Sequence, residues 1–148
     1  MGLPQDKTPQ DFEPYMTPDE SAADFVALLA ALTGFLSPEG YLERRQVELI
    51  AHCDWELSRH RRQSTQLLRA QVRKAESRAL QVLGKGDTTL SQSELVAQTY
   101  AANITQHAHH HEAVAHLERR RSQLLKEFNE LRSQRRLTST EDAEVLGS

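Results

Sequence analysis

Cysteine, aromatic side chains and long apolar runs are all scarce in this chain, and each scarcity excludes something. Cys53 is the only cysteine, so no disulfide can form within the chain. Aromatic residues make up 5% and hydrophobic residues 38% of the 148 positions, too few for a thick core but enough for helices that each bury one stripe. No apolar run approaches the roughly 18 residues that a membrane helix needs. Prolines at 4, 9 and 14 and several acids occupy the start, where a secretory leader would carry basic and leucine-rich runs. The expectation is a cytoplasmic, soluble protein with no membrane partner.

Glycine and proline are also missing from two long stretches, and that absence organises the chain. After Pro38, residues 39–83 contain Gly40 alone, and residues 92–137 contain neither residue type. Each reads as one helix, roughly 70 Å long at 1.5 Å per residue, with the glycine-containing loop 84–91 between them. The predicted fold is all-α: a long antiparallel, coiled-coil-like helical hairpin with a short helix packed at its base. Residues 1–16 read as an extended or flexible arm, 17–137 as a single helical domain with helices near 18–36, 38–83 and 92–137, and 138–148 as an acidic flexible tail.

The helix starts carry local signals. Thr17, Pro18 and Glu20 supply an N-cap, a first-turn proline and the glutamate of a capping box, and Ser91 with Glu94 repeats the box. Phe25, Leu28, Leu29, Leu32, Phe35 and Leu36 form one face of the first helix. The second helix is striped by Tyr41, Val47, Ile50, Leu57, Leu68, Val72, Ala75, Ala79 and Val82, and the third by Val96, Tyr100, Ile104, His107, His111, Val114, Leu117, Leu124, Leu125, Phe128 and Leu131. Folding the hairpin about residue 87 or 88 pairs residues whose numbers total about 175, which sets Phe128 beside Val47, Leu125 beside Ile50 and Arg121 beside Asp54.

Charge is partitioned along the chain. Residues 1–57 hold eleven acids and three bases, residues 58–137 fifteen bases and seven acids, and the tail three acids. The pairing lets the acidic start of the second helix neutralise the basic end of the third. The loop half stays positive, because Arg59, Arg61, Arg62, Arg69, Arg73, Lys74 and Arg78 face a segment with few acids. Such a face suits nucleic-acid phosphates without sequence readout; it equally describes a solvated helix surface.

Five histidines, at 107, 109, 110, 111 and 116, crowd into residues 106–116. His107 and His111, at i and i+4, share a face and offer two ligands to a metal ion. His116 falls near His60 under the pairing, with Glu56 and Glu112 a turn away, a mixed imidazole and carboxylate set. Structural or solvated imidazoles are the competing reading, and no cofactor is expected. Cys53 reads as a small buried residue, not a nucleophile, since no oxyanion-forming turn accompanies it.

Asp19 to Phe25 leading into Leu28, Leu29 and Leu32, then Ser37 and Pro38, then Ala51, Trp55, Leu57 and Arg59 resemble a group of uncharacterised bacterial helical proteins. Those share an acid-Phe-x-x-Leu-Leu helix, a proline-started second helix and an Ala-x-x-x-Trp-Arg-Leu-x-Arg core, in which this chain has Glu56 after the tryptophan. The resemblance implies a helical fold and assigns no site residue.

A two-helix seam leaves much of its stripe uncovered, and Trp55 lies off the seam, needing cover from the first helix or from another chain. The function predicted from sequence is a non-enzymatic structural or adaptor subunit, a homo-oligomer or the partner of a larger protein, with Trp55 and Phe128 at the interface. The alternative is an accessory nucleic-acid-binding protein using the basic face. A histidine-based metal or pH-responsive protein is the third.

Overall fold

Uninterrupted helix formers and 3,4-spaced apolar residues between Gly40 and Leu83 produce the longest helix of the protein, as their propensities dictate. The computed structural model describes residues 7–83 and 91–147. Its elements are α1 (Pro9–Phe12), a 3-10 turn (Glu13–Tyr15), α2 (Ala22–Leu36), α3 (Gly40–Leu83), α4 (Gln92–Ala102) and α5 (Ile104–Leu146). Among the described residues there is no strand, and α3 packs against α5. No helix among them is long and apolar enough to cross a membrane. The chain divides into two units, Met1–Trp55 with Arg119–Ser148 and Glu56–Glu118, where the sequence suggests one domain.

The first unit has two packed faces. On one, α1 and α2 bury Phe12 and Phe25 against Ala51 of α3, with Met16, Leu29 and Trp55 around them. The Phe12 and Phe25 rings lie 4.7 Å apart. On the other face Val47 and Ile50 of α3 and Leu124 and Phe128 of α5 are buried. Gln46 Nε2 donates to the Leu124 carbonyl at 3.1 Å and to Glu127 Oε2 at 2.8 Å. Arg121 donates to Asp54, the pair brought together by the sequence register. Arg135 reaches Glu43 at 2.7 Å and Glu39 at 2.6 Å, and Arg132 donates to the Leu36 carbonyl.

Several boundaries differ from the sequence expectation for local reasons. The arm holds a short helix: Pro9 sits in its first turn, Thr8 and Asp11 close a capping box, and Lys7 pairs with Glu48 at 2.5 Å. Half of the expected box at 17–20 forms, with Thr17 N–H donating to Glu20 at 3.0 Å, but the Thr17 hydroxyl turns to Asp19 and the segment closes a turn rather than a helix. Ser21 is extended and becomes the true N-cap of α2 by accepting from the Asp24 N–H. Similarly α3 begins at Gly40 rather than at 38, because Gly40 takes φ +78°, which ordinary residues avoid.

The expected third helix is broken at Asn103, whose backbone is not helical and whose side-chain amide donates to the Thr99 carbonyl at 2.8 Å. Beyond 137, where the composition suggests a flexible tail, α5 continues to Leu146. Thr138, Ser139 and Thr140 each turn a hydroxyl back onto the carbonyl four residues earlier, so their polarity is satisfied within the helix. The expected loop at 84–90 lies outside the described residues.

Candidate functional site

In the second unit the stretch of α3 after Glu56 faces α4 and the start of α5, and the 3,4 spacing that carries Val47, Ile50 and Leu57 passes into polar residues. Counting back from Phe128 by alternating fours and threes gives Leu124, Arg121, Leu117, Val114, His110 and His107. Counting forward on α3 from Ile50 gives Cys53, Leu57, His60 and Ser64. Imidazoles and a hydroxyl therefore occupy positions that aliphatic residues hold elsewhere, and each needs a partner.

His107 finds its partners. It is only 1% exposed, with Nε2 2.9 Å from Gln71 Oε1 and Nδ1 3.5 Å from Ser64 Oγ. Gln71 Nε2 donates in turn to Gln106 Oε1 at 2.7 Å. That direction leaves Gln71 Oε1 as the acceptor, so His107 carries its proton on Nε2 and its Nδ1 lone pair accepts from the serine hydroxyl. Tyr100 covers the imidazole at a ring separation of 4.9 Å.

One turn along, His60 and His110 meet across the two helices. Their Nδ1 atoms are 3.2 Å apart and their ring centroids 5.5 Å apart, so the nitrogens lie between the rings and point at each other. A groove of about 440 Å³ opens beside them, lined also by Ser64, Thr65, His111 and Glu118. Arg61 enters the same groove, its Nη2 donating to Glu118 Oε1 at 2.7 Å. Partial burial disfavours the charged form of His110, and the neighbouring His60, His109, His107 and His111 push its pKa down further.

The expected histidine partnerships are thus rearranged. His107 has both ring nitrogens engaged with Gln71 and Ser64, while His111 is exposed. His60 meets His110 rather than His116, which is exposed. A pairing register gives the level of a residue along a helix but not the direction it faces. His116 is out of the 3,4 series, and His110 is in it, so strict 3,4 counting identifies the residue that the apolar stripe alone passes over. Among the described residues, no three His, Cys, Asp or Glu side chains converge to hold a metal ion.

The seven basic residues are not one face. Arg62, Arg69 and Arg73, at i, i+7 and i+11, share a line on α3, with Arg59 a turn earlier, whereas Arg61 turns toward Glu118, and Lys74 and Arg78 fall on other sides. Arg69, Arg73, Lys74 and Arg78 are exposed, while Arg59 and Arg62 are half-buried.

The two expected interface residues belong to the first unit. Phe128 has no exposed surface, so it is spent on the chain's own core and offers nothing to another chain. Trp55 is half-buried, its indole set edge-on to Phe25 at 5.6 Å, so α2 supplies cover. Its Nε1 is buried without a hydrogen-bond partner among the described residues. Cys53 is buried in the 3,4 series of α3. No family model, curated protein or solved structure matches this chain.

Proposed function

We propose that the protein is a non-enzymatic helical scaffold or adaptor that works by association through its helices. The observation that supports this reading is the apolar surface of the first unit. Phe35, Tyr41 and Leu42 around the α2–α3 junction, and Leu137, Val145 and Leu146 on α5, are all exposed, Phe35 by 86% and Leu146 by 87%. Single exposed apolar residues are ordinary, but large ones gathered along the same few turns mark a contact surface. With Arg135 held beside Glu39, α5 runs on for about 16 Å at 1.5 Å per residue to Leu146.

In this reading α3 and α5 form an antiparallel, coiled-coil-like hairpin whose polar residues fix the register. The outward apolar side chains associate with a second copy or with a larger protein. Light scattering across a range of protein concentrations tests it. A mass of twice the 16.8 kDa chain or more is expected, reduced to that of the monomer by Phe35→Ser with Leu137→Ser. A monomeric mass at every concentration, with no larger protein retained, overturns it.

A second reading follows from the line of Arg62, Arg69 and Arg73: contact with a nucleic-acid backbone. Binding would weaken steeply with salt, and changing these three to glutamine would weaken it for all sequences alike. Arg61→Gln would matter less, since Arg61 is already paired with Glu118. Absence of binding at low salt rejects this reading.

A further inference from the structure

At the His60–His110 pair in the second unit, two ligand-type nitrogens from different helices converge on an open groove. We infer that His60 Nδ1 and His110 Nδ1 form a cross-helix site for one divalent transition-metal ion of the zinc, nickel or copper class. This inference is independent of the scaffold reading.

Its basis is geometric. Imidazole nitrogens bind zinc at about 2.0–2.1 Å. Two nitrogens 3.2 Å apart then subtend an angle of about 100° at a shared ion, between the square-planar and tetrahedral values. The ion lies off the line joining the nitrogens, so the rings need only turn to aim their lone pairs at it. In the hydrogen-bonded pair one Nδ1 carries the proton. Moving it to the Nε2 of the same ring frees both Nδ1 lone pairs, with no net change of charge on the protein. Neutral imidazole is the form that binds zinc, nickel and copper.

The surroundings complete the case. Both ligands sit on long helices, so their backbones are fixed before the ion arrives. The groove leaves space for water to fill the remaining coordination positions. Arg61 is the cation that opposes the ion, and Glu118, 2.7 Å from it, offsets that charge. His107 stays outside the site because Gln71 and Ser64 hold its ring, while exposed His109 and His116 offer solvent-facing competitors.

Calorimetric titration with Zn²⁺ at neutral pH tests the assignment, using wild type, His60→Gln, His110→Gln and a His109→Gln/His116→Gln double variant. Glutamine keeps hydrogen-bonding groups but does not replace the imidazole ligand. Each of the first two changes is expected to weaken the tightest site by about tenfold or more, whereas the double variant keeps it. The Cu²⁺ form of wild type should show hyperfine splitting from two nitrogens, a readout that needs no variant to fold. Zn²⁺ should also raise the melting temperature of wild type but not of His60→Gln. Wild-type affinity in both single variants, loss of the tight site in the double variant, or a one-nitrogen copper spectrum would overturn the site.

Discussion

Phe128 and Glu43 show how single side chains hold the first unit. Phe128 is fully buried, with the Arg132 guanidinium 4.8 Å from its ring centre. Phe128→Ala should cost about 3–5 kcal/mol, as for large-to-small changes in closed cores, measured by urea denaturation. Glu43 is a carboxylate with a side chain only 4% exposed. Burial by itself would raise its pKa, but the Glu39 N–H, the hydrogen bond and charge of Arg135 and the charge of Arg132 together bring it below the ordinary 4.5. A folded pKa below the unfolded one means that the unfolded chain takes up protons first as pH falls. The stabilisation is therefore complete above about 4.5 and is lost as pH drops through the folded value. Denaturation curves should show a smaller stability difference between wild type and Glu43→Gln at pH 3.5 than at pH 6. A constant difference at both would show that Glu43 is not held as a carboxylate.

At the scale of elements, helix ends decide what was readable. Ser37 closes α2 in the left-handed region at φ 47°, and Gly40 opens α3 at φ +78°. Nothing within 4 Å would meet a Cβ at Gly40, so Gly40→Ala isolates the backbone term and should destabilise by about 1–2 kcal/mol. Ser37→Gly should stabilise slightly, since glycine accepts that conformation freely. Thermal melts of the two variants should move in opposite directions. The existence of the long helices was legible because their apolar spacing runs over many turns. Their ends were less so: Thr17 and Ser21 both offer capping side chains, and it is Ser21, directly before Ala22, that accepts from the Asp24 N–H. Asn103 gave little warning, because asparagine disturbs a helix only when its amide captures a nearby carbonyl, here that of Thr99.

For the whole chain, the charge partition and the Asp54–Arg121 contact were legible, since both follow from counting. The polar partners of His107 were not, because Gln71 and Ser64 look like surface residues until the 3,4 series is followed through them. The exposed apolar residues of α2, α3 and α5 predict a concentration-dependent mass, insensitive to salt if apolar contact drives association and weakened by salt if ion pairs do. Repeating the mass measurement across a salt series separates the two. The molecule also carries its own optical gauge. Trp55 is the sole tryptophan, and its indole is lodged edge-on against Phe25, so ultraviolet emission from this protein originates chiefly at the contact of α2 with α3. Undocking of α2 would wet the indole and shift its fluorescence to longer wavelength, making the integrity of that contact visible in unlabelled protein, in real time.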